Sequence, residues 1–533
     1  MPNTEKLLSI KNLKKYFPIA KSSIFQREQL YVRANEEITI DIHSGETFGL
    51  VGESGCGKST LGRVLLQLYE QTAGSSIYYG RTLAEFAPSY VKKTLRKAPA
   101  MIKAYHKAEL YAQTLKKECD AAGENATFFQ HQKMNLAIAD AETALQKVAK
   151  ILGGFMALDN CTEGAHLLLE KFNTDVKLAK LRTEIFDLDT EITFCDSLRG
   201  TKKEESARKK AEKYTAQKKK LEAQLEALSK DHVACINKIN ALKAKYNGNE
   251  EFAKYEAMLD EGIDLSRLKY SEMRLLRKDL QIIFQDPYSS LNPRMTVGQI
   301  IEEGLLTHKM YKHGSKQLEE HILNVMRQCG LQDYMIHRYP HQFSGGQRQR
   351  ICIARALAVN PKFIVCDECV SALDVSIQSQ IINLLEELKA KQNLTYLFIS
   401  HDLSVVRYIS DRIGVMYLGN MVELGTAETV FSDPRHPYTV ALLSSIPTTD
   451  MDALKKERII LEGNIPSPIK PPEGCKFHTR CYMACEKCKR VPPPYVEVEP
   501  GHFVACHFLE RKIDENGNYL FKVNNTDGEK SEG

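Results

Sequence analysis

The segment Gly52-Glu53-Ser54-Gly55-Cys56-Gly57-Lys58-Ser59-Thr60 follows the apolar run Thr47–Val51 and leads into the helix-like run Thr60–Leu68. Glycines at these intervals let backbone N–H groups turn inward around anionic oxygens, and the N-terminus of a following helix adds a favourable dipole. In such a phosphate loop Lys58 supplies positive charge to the β- and γ-phosphates of ATP, and Ser59 offers a hydroxyl to Mg2+. The plainer alternative is a glycine turn with no ligand. Far downstream, the apolar run Phe363–Cys366 ends in Asp367 and Glu368. Carboxylates at the C-terminal end of a buried parallel strand lie where α/β sheets bind ligands. Asp367 suits magnesium held through water, and Glu368 suits an attacking water that must be polarised. A lone Asp-Glu pair is often just a solvated turn. On one chain with a phosphate loop, the catalytic reading is favoured.

Positioning these groups requires strands and helices in alternation. From Leu7 to about Gly80 short β-branched runs alternate with glycine turns, the texture of an α/β start. From about Arg81 to Asp260 the chain is charged and alanine-rich, and no proline occurs between Pro99 and Pro287. Leu178, Leu181, Ile185, Leu188 and Ile192 step by three and four, as do Met134, Ile138, Ala141, Leu145 and Val148. Leu221, Leu225 and Leu228 continue the pattern beside the basic run Lys218–Lys220. Such stripes pack helices into hairpins or bundles, so this block reads as an insertion. Near Gly262 the α/β texture resumes and runs to about Gly425, with buried-strand runs at Phe363–Cys366 and Tyr396–Ile399. Proline clusters at Pro466–Pro472 and Pro492–Pro494 frame a cysteine-rich end. Beyond Phe508 the chain is polar, with the composition of a frayed tail.

The bulk numbers narrow the class. A chain of 533 residues holds one large domain plus additions, and a hydrophobic content of 43% is ordinary for a protein with a real core. No apolar run reaches the roughly 20 residues that span a bilayer. Met1–Phe17 lacks a signal-peptide core, so nothing suggests export. A net charge of +5 implies no nucleic-acid partner.

Further motifs bring a family into view. Phe343-Ser344-Gly345-Gly346-Gln347, with Arg348-Gln349-Arg350 behind it, resembles the LSGGQ signature of ATP-binding-cassette proteins, with phenylalanine in place of the first leucine. By itself it is also an ordinary helix cap with Ser344 as N-cap. Order and spacing favour the resemblance: Gln285 in Phe284-Gln285-Asp286 resembles the Q-loop, Ser371-Ala372-Leu373-Asp374 the D-loop, and His401 after Tyr396–Ser400 the switch histidine. Phe17 resembles the aromatic that stacks on adenine, with a strand core residue as its alternative. The implied fold is a P-loop NTPase cassette: a mostly parallel sheet core, an antiparallel β subdomain and a helical subdomain. The implied activity is ATP hydrolysis at a head-to-tail dimer interface, where Ser344, Gly345, Gly346 and Gln347 act in trans on nucleotide held by Lys58 of the partner. In that scheme Glu368 is the general base, His401 contacts the γ-phosphate, Asp374 forms the D-loop, and Ser59, Gln285 and Asp367 serve Mg2+.

A narrower resemblance follows. Gly49–Arg63, Ile283–Val297 and the segment from His436-Pro437-Tyr438-Thr439 to Ile446-Pro447 are similar to the F-type ATPase subunit of oligopeptide and dipeptide permeases. Cys369 departs from it, since that family usually has proline after the Asp-Glu pair. The resemblance covers about residues 7–80 and 261–508. It implies peptide import, with nickel or glutathione import as alternatives. It also implies a second ABC ATPase subunit (a D-type relative forming a heterodimer), two transmembrane permease subunits and an extracytoplasmic peptide-binding protein. The chain would sit peripherally on the cytoplasmic face of the membrane. DNA-repair and ribosome-associated cassettes fit less well: the first carry their coil after the Q-loop, and the second carry two cassettes.

The expected division is 1–80 and 261–430 for the cassette, 81–260 for the helical insertion, 431–510 for the C-terminal extension, and 511–533 for a disordered tail. Of the fourteen cysteines, five crowd into Cys475–Cys506, which reads as a metal site rather than a disulfide framework. Cys475, Cys481, Cys488 and Cys506 resemble the ligands of a [4Fe–4S] cluster in several such permease ATPases. Cys485 with Cys488 makes a C-x-x-C, which keeps zinc open, and no metal is the third reading. The insertion itself reads as a solvated helical hairpin or bundle. The basic stretch Lys202–Lys220 raises a docking arm as the alternative.

Overall fold

The computed structural model describes residues 5–21, 29–123, 126–198, 204–446, 459–513 and 519–522. They form two compact units, Met1–Ser76 with Tyr270–Gly533, and Ile77–Lys269.

The first unit is built on an eight-stranded sheet. Its spatial order is Tyr495–Glu499, His502–Ala505, Asn420–Thr426, Arg412–Tyr417, Thr47–Val51, Thr395–Ile399, Phe363–Asp367 and Leu280–Ile283. The last five run parallel. Thr47–Val51, Phe363–Asp367 and Thr395–Ile399 are buried at every position, which is why they read as unbroken apolar runs rather than alternating ones. Arg412–Tyr417 turns back on Asn420–Thr426 through Leu418 and Gly419, both at positive φ, the geometry of a two-residue hairpin. Helices Val297–Thr307, Lys316–Gln328 and Gly345–Leu357 start at Thr296, Ser315 and Ser344, whose side chains cap backbone N–H groups. Ile301, Leu305, Met326 and Ile351 on these helices share one core with Phe398 of the sheet. In a second sheet Lys6–Pro18 pairs antiparallel with Tyr31–His43 and neighbours Ala73–Tyr78 on its other side.

The proline-rich end joins the main sheet, which its composition did not suggest. His502 lies on a strand, is almost fully buried, and shares a 2.8 Å hydrogen bond between its Nε2 and Glu423 Oε1. His478 and His507 instead bond backbone carbonyls of Cys475 and Val491.

The second unit is helical. Ala98–Ala122 packs along Phe128–Leu152, and Thr162–Ser197, of 36 residues, packs along Glu204–Ala244, of 41. At 1.5 Å per residue the second pair is about 54–62 Å long. It is antiparallel: Lys218 Nζ reaches Asp189 at 2.6 Å, while His232, further along, reaches the earlier Asp175 at 2.6 Å. Thr127 and Gln130 form a capping box at the start of Phe128–Leu152. Ala112, Leu115, Ala137 and Ala141 make the seam of the first pair, where three alanines let the helices approach closely around one leucine. At the base of the unit Ile77 and Tyr78 pair antiparallel with Asp264 and Ile263.

No helix among the described residues is long and apolar enough to cross a membrane. Most of the expected polar tail over 511–533 lies outside the described residues; at its start Glu510–Ile513, one residue of which precedes the tail, pairs with Tyr519–Lys522 as a two-stranded ribbon. Pro447 also lies outside them.

Candidate functional site

Strand Thr47–Val51 delivers Gly52–Gly57 to the C-terminal edge of the sheet, and helix Lys58–Leu65 leaves from it. Gly57 has φ +103°, and a Cβ there would meet Ala34 O at 2.0 Å, so only glycine passes this point. Gly55 has φ +81° but open space around it. Lys58 is buried and its Nζ donates to Gly52 O at 2.6 Å and Glu53 O at 3.1 Å, which holds the ammonium inside the loop.

Two strands away, Phe363–Asp367 ends against this loop. Ser59 Oγ donates to Asp367 Oδ1 at 2.5 Å, and Arg63 Nη2 lies 3.4 Å from Asp367 Oδ2. The Ser59 hydroxyl and the Asp367 carboxylate are adjacent oxygen donors, a set that suits a hard cation such as Mg2+. Glu368 is a non-glycine residue at φ +50°. Such backbone costs on the order of 1–3 kcal/mol and persists where surrounding bonds impose it. Here Glu368 N–H donates to Ile399 O at 3.0 Å and Ser371 Oγ donates to Glu368 O at 2.9 Å. The carboxylate is thereby turned toward two side chains from neighbouring strand ends. Gln285 Nε2 donates to its Oε2 at 2.7 Å, and His401 Nδ1 lies 3.6 Å from the same oxygen. Lys58, Ser59, Asp367, Glu368, Gln285 and His401 thus gather at one edge of the sheet: an anion cradle beside two carboxylates. Cys369 is buried, and its hydrogen bond together with burial pushes the Cys366 thiol up. Neither thiol displaces a carboxylate.

The remaining expected site residues stand apart. Ser344 Oγ accepts from Gln347 N–H at 3.4 Å and Ser344 N–H donates to Gln347 Oε1 at 3.2 Å, so this serine caps its own helix. A Cβ on Gly346 would meet Ile377 Cγ2 at 2.5 Å, whereas one on Gly345 would meet nothing closer than Leu373 at 3.7 Å. Packing therefore explains the first glycine and leaves the second without a local reason. Asp374 precedes helix Val375–Gln392, is exposed, and makes no capping bond. Phe17 packs edge-on against Tyr69 with centroids 5.4 Å apart, and Lys15 Nζ sits 4.6 Å over its ring. Thr60 is half-buried in the first turn of the loop's helix.

Glu53 and its neighbour Ser54 sit in the loop, and Glu53 has two partners that no motif in the sequence marks. Arg480 clamps its carboxylate at 2.7 and 3.0 Å, and its N–H donates to Tyr438 Oη at 2.9 Å. Tyr438 lies 385 residues from Glu53, and no local pattern signals such a contact.

The cysteine group requires a correction. Among the described residues no set of three or more His, Cys, Asp or Glu side chains is arranged to hold a metal ion, so Cys475, Cys481, Cys488 and Cys506 carry neither the expected [4Fe–4S] cluster nor the alternative zinc. Cys488 and Cys506 are instead buried with Val504 and Phe508 as small apolar groups. Burial pushes the thiols of Cys481 and Cys506 to about 12 and that of Cys488 to about 11. Cys485 Sγ lies 3.4 Å from Cys488 Sγ as a thiol–thiol contact.

A family profile described as ABC transporter matches residues 35–235 and 239–371, and one described as Oligopeptide/dipeptide transporter, C-terminal region, matches residues 422–488. The oligopeptide transport ATP-binding protein AppF of Bacillus subtilis (strain 168) is 55% identical over 252 residues, which cover 47% of this chain and 76% of that protein. The putative oligopeptide transport ATP-binding protein YkfD of the same organism is 53% identical over 248 residues, 46% of this chain and 75% of that one. The oligopeptide transport ATP-binding protein OppF of Haemophilus influenzae is 50% identical over 246 residues, 46% and 74% respectively.

Proposed function

Because this chain belongs to the ABC transporter family, as an ATP-binding and ATP-hydrolysing cassette subunit, we propose that it drives the uptake of oligopeptides or dipeptides through a membrane permease. One observation carries the choice of cargo: the cassette is followed in the same chain by a match to the C-terminal region of oligopeptide/dipeptide transporters. The names of the relatives point the same way.

In this reading Lys58 and the amides of Gly52–Ser59 hold the phosphates, and Phe17 stacks on the adenine. Ser59 and Asp367 would hold Mg2+ with Gln285 beside them, and the ion would supply positive charge against the transferred phosphoryl group. Glu368 takes a proton from the attacking water, and its position is kept by Gln285 and checked by His401 against the γ-phosphate. Ser344, Gly345, Gly346 and Gln347 complete the site from a partner cassette, with Asp374 at the seam between the two. The partner is a D-type ATPase subunit, and the pair works on two permease subunits fed by an extracytoplasmic peptide-binding protein. The cassette sits peripherally on the cytoplasmic face. The insertion over 81–260 is an addition outside the ATP chemistry, and 431–510 forms the extension.

Copurification of untagged partners from membranes, followed by reconstitution, tests this. Peptide-stimulated ATP hydrolysis by the complex supports it. Stimulation by nickel or glutathione and not by peptides would replace the cargo assignment.

A further inference from the structure

The contacts of Glu53 reach further than the nucleotide chemistry so far described. Its carbonyl accepts from Lys58 Nζ, while its carboxylate and N–H are held by the C-terminal extension through Arg480 and Tyr438. One loop residue therefore joins the phosphate lysine to a segment more than 380 residues away. We propose that Tyr438 and Arg480 are positioning residues for ATP, holding the phosphate loop in the shape that receives nucleotide; this rests on the reading of Gly52–Ser59 as the nucleotide cradle.

The extension is built to hold those two groups still. Tyr438 is fully buried, with its ring 4.8 Å from that of Tyr417 and 5.3 Å from that of Phe477. Its N–H donates to His436 Nδ1 at 3.1 Å, which fixes the start of helix Pro437–Ser444. The N–H groups of Arg435 and His436 in turn donate to the buried carboxylate of Glu423, at 2.7 and 2.9 Å, on strand Asn420–Thr426. The hydroxyl at the end of this chain is thus tied to the sheet. Arg480 meets Glu53 through two parallel N–H···O bonds with its side chain only 7% exposed, a geometry that fixes direction as well as distance. A glycine-rich loop free to sample other shapes would have to be ordered when ATP binds, and that cost would appear in affinity. Bonds that order it beforehand remove the cost without touching the reacting atoms.

Two variants separate this role from general support of the fold. In the assembled complex, Arg480→Ala and Tyr438→Phe are each expected to raise the KM and Kd for ATP about tenfold while kcat falls less than threefold. The charge-swapped pair Glu53→Arg with Arg480→Glu should recover most of the lost affinity that either change alone causes. Lys58→Ala is the control for the underlying reading and should abolish ATP binding. If Lys58→Ala loses ATP while Arg480→Ala and Tyr438→Phe bind it as the parent does, the positioning role is overturned and the cradle stands. If Lys58→Ala binds ATP normally, the cradle reading fails first. A lowered melting temperature with an unchanged KM for ATP in both variants would also overturn the proposal, since it describes fold support alone.

Discussion

Gly345 and Gly346 are adjacent in sequence and differ sharply in their surroundings, which makes them a test of the in-trans site. A methyl group on Gly346 would stand 2.5 Å from Ile377 Cγ2, over 1 Å inside ordinary carbon contact. Ile377 is β-branched and held in helix Val375–Gln392, so the clash is not relieved by swinging a flexible end. Overpacking of this kind costs about 1–3 kcal/mol, and the better helix propensity of alanine returns about 0.5–1 kcal/mol. Taking the middle of each range, Gly346→Ala should therefore destabilise the cassette by about 1 kcal/mol, and adding Ile377→Ala should remove the steric part. Gly345→Ala meets only Leu373 at 3.7 Å and should leave stability unchanged within about 0.5 kcal/mol or raise it slightly. Its effect belongs to function: a methyl group facing a partner's nucleotide should lower ATP turnover of the complex at least about tenfold, equivalent to some 1.4 kcal/mol. Denaturant unfolding of the purified chain and ATPase assays of the complex read the two effects separately. Full turnover by Gly345→Ala would refute the placement of that glycine against nucleotide. Equal stability of Gly346→Ala and the parent would refute the steric argument.

Glu368→Gln keeps a carbonyl oxygen within reach of Gln285 Nε2 but removes the proton acceptor. Turnover should fall by about 10²–10⁴-fold with ATP still bound, measured by phosphate release and nucleotide retention, and an undiminished rate would reject the general-base role. Burial holds the pKa of His436 down to about 3, and its Nδ1 accepts from Tyr438 N–H, which requires the neutral ring. The unfolded chain protonates this histidine below its ordinary pKa of about 6.5, so its stabilising share is full above that pH and is lost as pH falls toward 3. Between pH 7 and 5 that loss amounts to about 2 kcal/mol, which unfolding curves should show and His436→Gln should abolish. Excision of 81–260 leaves Tyr78 and Ile263 paired and joins them through Tyr79, Gly80, Glu261 and Gly262, a loop of hairpin length. All the gathered site residues lie in the other unit, so ATPase activity should stay within about threefold of the parent's, while transport measured in parallel shows whether the insertion docks a partner.

Much of the site was legible because phosphate chemistry imposes local patterns. Of the gathered residues, Gly52–Ser59, Asp367–Glu368 and His401 each declare themselves within a few residues, at the end of a strand or the start of a helix. The parallel strands were legible for a related reason, since burial on both faces leaves a continuous apolar run such as Phe363–Cys366. What escaped depends on register between distant segments. Nothing near Tyr438 or Arg480 reveals that both end on Glu53, and the strand that buries His502 is four residues long and closely preceded by Pro500, too short to stand out. The cysteines show the same limit from the other side. Their crowding and the family resemblance suggested ligands, but Cys488 and Cys506 pack with Val504 and Phe508 as small apolar groups.

The pairing of Tyr78 with Ile263 has a consequence for how the chain comes together. Ser59 and Asp367 are 308 residues apart along the chain, a long diffusive search for two groups that must touch. Once the intervening helices have formed and their base is zipped, the effective tether shrinks to about 123 residues, which lowers the entropic cost of ring closure by about 0.8 kcal/mol. The helical arm therefore acts during folding as a clip that brings the two halves of a split cassette back within reach of each other.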